Sequence, residues 1–137
     1  MIRLTRRYRF SAAHRLHAAA LTDEENRVLY DKCNYPHGHG HNYELAISVR
    51  GKLDPATGRV VPLEALDRLV KDEVLNLLDR ANLNDDVPGL AGVVPTTENL
   101  ALEVRTLLTR RWPESFPQLE KIHIQETRRN SFELSNL

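Results

Sequence analysis

The chain has 137 residues, 41% hydrophobic and 28% charged, with Lys plus Arg and Asp plus Glu at 19 each. That size and composition fit one soluble domain, residues 1–137, that buries a core without staples, and they exclude a disordered or membrane-embedded chain. The balanced charge disfavours nucleic acid as a partner. The absence of a bilayer-length apolar run or hydrophobic leader predicts a cytoplasmic protein, and a single cysteine rules out an internal disulfide or paired Cys-x-x-Cys halves.

In chain order, Tyr8, Phe10 and Ala12 alternate with Arg7, Arg9 and Ser11, which predicts a strand within residues 2–16 whose apolar parity His14 continues. Residues 21–31 are polar and read as a long loop or a short helical turn. His41, Tyr43, Leu45, Ile47 and Val49 alternate with polar or small residues, predicting a second strand that ends at Gly51. Asp54-Pro55-Ala56-Thr57-Gly58 has turn chemistry and reads as a hairpin into a third strand at Arg59-Val60-Val61. Leu63, Leu66, Leu69, Val70, Val74, Leu77 and Leu78 follow three-four spacing and predict an amphipathic helix. Residues 82–95 read as a loop. Thr96 or Thr97 caps a second helix that Pro113 and Pro117 stop, and residues 119–127 and 131–134 form a last pair of strands turned at Arg128-Arg129-Asn130. This order lacks regular β-α-β alternation. It predicts an α+β fold, an antiparallel four-stranded sheet with two helices on one face, and an oligomer to cover the other.

The stretch CNYPHGHGHN at 33–42 holds three of the six histidines and the only cysteine. Residues two apart on a strand share a side, so His39 and His41 project together, and His14 can meet them if the first two strands are neighbours. Three imidazoles with a fourth position open is the arrangement of a catalytic zinc site, although imidazole also suits other first-row ions. The His-x-His pair alone equally fits a flexible His-rich loop; the separate His14 at matching parity favours a site. His17 and His123 have no such support and read as ordinary surface or structural histidines. Cys33 is either a small buried hydrophobe or a thiolate base near a cation. Glu126 shares parity with Ile122 and Ile124, which would place a carboxylate on the apolar face as an edge residue or a ligand anchor.

FSAAHRL at 10–16, LTDEENRVLYDKCN at 21–34, GHGHNY at 38–43, the GKLDPATGRV hairpin, LLDRANLN at 77–84, PTTENLA at 95–101 and QET at 125–127 run in order along nearly the whole chain. Together they resemble the 6-pyruvoyltetrahydropterin synthases and the related 6-carboxytetrahydropterin synthases. The resemblance implies a tunnelling fold whose trimers close into a β-barrel and stack as a homohexamer with active sites at subunit interfaces. It implies a zinc ion on His14, His39 and His41, Cys33 as general base, Glu126 as the pterin anchor, and Thr127, Thr97 and Glu98 beside the pterin ring. The implied reaction is a lyase conversion of 7,8-dihydroneopterin triphosphate that releases triphosphate, on the route to tetrahydrobiopterin; the carboxy branch instead leads to the deazapurine queuosine in tRNA.

Two positions depart from the family pattern. Arg80 follows Asp79 where relatives carry a relay histidine, and an arginine stays protonated and cannot shuttle a proton; it could stabilise a thiolate or oxyanion, or bind triphosphate, with Asp79 orienting it. His37 stands where relatives often carry asparagine and is a candidate for the missing imidazole or an exposed loop residue. A non-catalytic pterin- or metal-binding oligomer is therefore a second reading. An unrelated metallohydrolase is disfavoured because Asn42 and Tyr43 follow His41.

Overall fold

A computed structural model of the chain describes residues 1–135 and 137. In chain order its elements are β1 (Ile2–His14), α1 (Asp23–Tyr30), β2 (His39–Gly51), α2 (Leu63–Val70), α3 (Asn76–Leu78), β3 (Ala81–Asn82), α4 (Thr97–Thr109), β4 (Gln118–Gln125) and β5 (Ser131–Ser135). The long alternating runs pair as their parity dictates. β1 and β2 are antiparallel from Ile2↔Gly51 to His14↔His39, β4 lies along the other edge of β2, and β5 closes that side.

One sheet face is apolar because the period-two pattern puts Phe10, Leu45, Ile47, Ile122 and Ile124 on it. They join Leu66, Val70 and Val74 of the first helical run and Leu100, Val104 and Leu108 of α4 in a single buried cluster. Each such side chain, taken fully out of water, contributes about 1.5–3 kcal/mol. Phe10 and its directly opposed partner Tyr43 stack at 4.9 Å between ring centroids. The other face is polar, with Arg9 paired to Glu44, Ser11 to Asn42 and Thr5 to Ser48.

The sheet has five strands in the order β3-β1-β2-β4-β5, not four. Arg59-Val60-Val61 is no strand: Arg59 makes only an isolated bridge to Asp54, Val61 turns into the core at 2% exposure, and Pro62, which has no N–H to donate, follows at once. The edge is instead β3, two residues parallel to β1, in a segment that reads as helix end and loop. Asp79 Oδ1 accepts from the Ser11 N–H at 3.0 Å, and the Arg80 and Leu83 N–H groups donate to Ser11 and Ala13 carbonyls, which docks this segment on β1. β1 ends at His14, two residues before the sequence limit. The first helix passes from α2 through a π-helical turn, Lys71–Leu75, into α3. Residues 21–31 contain a full helix, α1, whose Thr22–Glu25 capping box satisfies its first N–H groups. Among the described residues no helix is long and apolar enough to cross a membrane.

Candidate metal centre

Towards the open end of the sheet the apolar ladder gives way to imidazoles: Phe10 opposes Tyr43, Ala12 opposes His41, and His14 opposes His39. His41 Nε2 lies 3.1 Å from His14 Nε2. His14 is 1% exposed, and its Nδ1 lies 2.9 Å from the Pro95 carbonyl just before the N-cap of α4. A carbonyl only accepts, so the imidazole hydrogen sits on Nδ1 and the Nε2 lone pair is free for a ligand, an outer-shell arrangement common at metal-binding histidines.

Two further groups converge there. The 3-10 turn Asp31–Asn34 is tied to the end of β1 by the Leu16 N–H donating to Cys33 O at 2.7 Å, which brings Cys33 Sγ to 3.8 Å from His41 Nε2. Glu126, just past β4 and inward-facing by parity, has Oε1 3.4 Å from the same nitrogen, while its Oε2 accepts a hydrogen bond from the buried Thr97 hydroxyl. One ligand atom each from His14, Cys33, His41 and Glu126 lies within 4.8 Å of the others.

Burial is the main influence on these groups. It pushes the His14 and His41 pKa values down, against the opposing pull of Glu126, and so favours neutral imidazoles. It pushes the Cys33 thiol up, helped by the negative charges of Glu126 and Asp31. A dication would reverse the thiol's preference. With bonds of about 2.0 Å to nitrogen and 2.3 Å to sulfur, tetrahedral ligands stand roughly 3.3–3.5 Å apart, and the three separations from His41 Nε2 are near that, at 3.1, 3.4 and 3.8 Å. Nitrogen, sulfur and carboxylate donors suit zinc.

The other residues singled out from sequence lie outside the four-donor cluster. His39 packs its ring on His41, with centroids 4.8 Å apart, but contributes no atom to the four-donor cluster. His37 is exposed and borders a cavity with His14, Arg15, Asn84 and Asp85. Asp79 is engaged by β1, and Arg80, at φ 64°, borders a depression with Ser11, Gly40, His41 and Asn42. The Thr127 hydroxyl caps the Arg129 and Asn130 N–H groups of the β4–β5 turn, and Glu98 is exposed in the first turn of α4. Not legible in the sequence are the Pro95 carbonyl, which has no residue-type signature, and Tyr43, whose hydroxyl lies 3.5 Å from His14 Nδ1 and whose shared parity with His41 is the available signal.

A protein-family model described as 6-pyruvoyl tetrahydropterin synthase matches residues 3–136. A protein from Poecilia reticulata described as 6-pyruvoyl tetrahydrobiopterin synthase is 47% identical over 127 residues, 93% of this chain and 85% of that protein. One of the same description from Homo sapiens is 44% identical over 93% of this chain and 86% of its own length. The solved structure of Caenorhabditis elegans 6-pyruvoyl tetrahydropterin synthase superposes with a TM-score of 0.90 at 37% identity, covering 99% of this chain and 96% of that one. Sequence identity at this level along nearly the full length, joined to the same fold, means that the chain belongs to the 6-pyruvoyl tetrahydropterin synthase family.

Proposed function

We propose that the chain is a zinc-dependent lyase that converts 7,8-dihydroneopterin triphosphate to 6-pyruvoyltetrahydropterin with loss of triphosphate. The observation that carries this reading is the convergence of His14, His41, Cys33 and Glu126 at the end of the sheet. His14 and His41, with His39 beside them, would hold the ion. Bound there, zinc would supply Lewis acidity towards the substrate's side-chain hydroxyls and would stabilise a Cys33 thiolate. Cys33 Sγ then takes the proton from the substrate side chain, and triphosphate departs as the leaving group. Glu126 accepts hydrogen bonds from the N–H edge of the pterin, held in place by the Thr97 hydroxyl, with Thr127 and Glu98 at the rim. In an assembly of trimers paired as a homohexamer, Asp79 and Arg80 of one copy would serve the Cys33 site of another, and His37 is the candidate imidazole for the relay.

A second reading is favoured by one feature: four donors already surround the point between the imidazoles, and a closed four-ligand site is characteristic of a structural rather than a catalytic ion. Replacing Cys33 with Ala separates the two. Under the lyase reading Cys33→Ala retains one zinc per chain and loses turnover, read as triphosphate release together with pterin mass. Loss of the zinc itself would make Cys33 a ligand and favour a metal-binding oligomer. The product mass also distinguishes the pyruvoyl from the carboxy branch.

A further inference from the structure

The turn Asp31–Asn34 borders a cavity of about 340 Å³ also lined by Arg15, His17, Arg27 and Tyr35. Its cationic wall is unusually well fixed. The Asn84 side chain clamps the Arg15 backbone, accepting from its N–H at 2.7 Å and donating to its carbonyl at 2.9 Å. The Arg15 Nε–H donates to the Asn34 carbonyl at 3.2 Å, while its two terminal nitrogens have no hydrogen-bond or carboxylate partner among the described residues. Asn34, 5% exposed, donates its amide hydrogens to Leu16 O at 2.7 Å and to His17 Nδ1 at 3.1 Å. Because the Leu16 carbonyl only accepts, the Asn34 amide orientation is set, His17 Nδ1 must accept, and the neutral His17 ring carries its hydrogen on Nε2. An anchored guanidinium with a free fork, beside an imidazole N–H, is a donor set shaped for phosphate oxygens.

The lining also includes Asp23 and Asp31, neither of which forms an ion pair among the described residues. A bare polyanion would be repelled by them. A magnesium polyphosphate would not, because magnesium bridges phosphate oxygens and one or two carboxylates, commonly through water. Asn34, the residue after Cys33, lines the cavity, so the cavity borders the turn that carries the thiol.

We infer that this cavity holds the triphosphate end of the substrate as its magnesium complex, with Arg15 and His17 as the phosphate donors; this rests on the lyase reading above. Calorimetric titration of the zinc-loaded protein with magnesium tripolyphosphate tests it. Arg15→Gln and His17→Gln should each weaken binding about tenfold, the size of one charge-assisted hydrogen bond, while the charge-matched control Arg111→Gln leaves it unchanged. In turnover, Arg15→Gln should raise KM for dihydroneopterin triphosphate with little change in kcat. If Arg15→Gln does not fold, judged by its thermal transition, His17→Gln decides alone. Absence of tripolyphosphate binding, or equal affinity in wild type and both cavity variants, overturns the inference. The two readings fail separately: turnover with an unchanged KM in Arg15→Gln leaves the lyase standing and removes this subsite. Variant-sensitive tripolyphosphate binding without turnover leaves the subsite and removes the lyase.

Discussion

His14 shows how a single side chain can be prepared by backbone around it. Its Nδ1–H is spent on Pro95 O and its ring is buried, so only the Nε2 lone pair faces His41. The approach to it is equally constrained from behind: Gly38 sits at φ +77°, and a Cβ there would lie 2.7 Å from His14 O. Gly38→Ala is therefore predicted to cost about 1–3 kcal/mol of stability, from a left-handed residue that also collides with backbone, and to lower zinc affinity because the collision is with the carbonyl of His14, the proposed ligand. Urea unfolding and competitive zinc chelation measure the two effects; a variant with unchanged zinc affinity would separate Gly38 from the site. Thr97→Val tests the carboxylate in the same way. It removes the hydroxyl that orients Glu126 and should weaken pterin binding about tenfold while zinc occupancy stays complete. At this scale much of the centre was legible, because strand parity alone turns His14, His41 and Glu126 inward. The position of Cys33 was not, since a 3-10 turn has no period to extrapolate and its place depends on the long-range Leu16–Cys33 hydrogen bond. Nor could parity say whether His39 or Cys33 and Glu126 stand nearer to His41, which is a matter of rotamer rather than of face.

Between elements, the join of α2 to the sheet is polar. Arg6 on β1 makes a two-pronged ion pair with Asp67 at 3.0 and 2.8 Å, and the Tyr8 hydroxyl donates to the same carboxylate at 2.7 Å. The Arg6 hydrogen bonds come first in holding the Asp67 carboxyl below its ordinary pKa, burial opposing them. A depressed folded-state value means that this contribution is present in full above the unfolded carboxylate pKa and disappears as pH falls through the folded one. The stability gap between wild type and Asp67→Asn should thus be constant at neutral pH and close below about pH 4. Because the Asp67 side chain is 37% exposed, solvent screening keeps the gap small. Urea unfolding of both chains across that range is the measurement, and a gap that widens on acidification would contradict the assignment. Thr22→Ala, which breaks the capping box of α1, should cost about 1 kcal/mol. The long strands and both apolar helices were readable from period, because each buries one face against the same core. The missed pieces have other causes. β3 is made by backbone hydrogen bonds to Ser11 and Ala13 rather than by side-chain alternation. α1 exposes Val28 and Leu29 at 77% and 61%, so it has no core-facing stripe to read, only its caps.

At the scale of the whole molecule, the sheet has two open edges. Among the described residues β5 has β4 on one side only, and β1 has a partner on its outer side only at Ala12 and Ala13. Unpaired strand edges of this length recruit further strands, and a polar sheet face with no helix on it leaves the same direction open for closure by other copies. Such an assembly would also bring Asp79 and Arg80 to a second copy's surface, because both are exposed near the β1 edge where that copy would add. Arg80 holds φ 64°, a conformation that asparagine tolerates better than most residues, so Arg80→Asn is the variant least confounded by folding. If Arg80 of one chain serves Cys33 of the next, Cys33→Ala and Arg80→Asn should each be inactive alone. When unfolded together in equal amounts and refolded, they should then recover activity. In randomly mixed rings about one site in four combines an intact thiol with an intact arginine, so turnover should reach about a quarter of wild type. Full activity of Arg80→Asn by itself would remove the arginine from the chemistry. No recovery in mixed oligomers, with mixing proved by mass, would place any joint action of the two residues within one chain and leave the open edges to serve assembly alone.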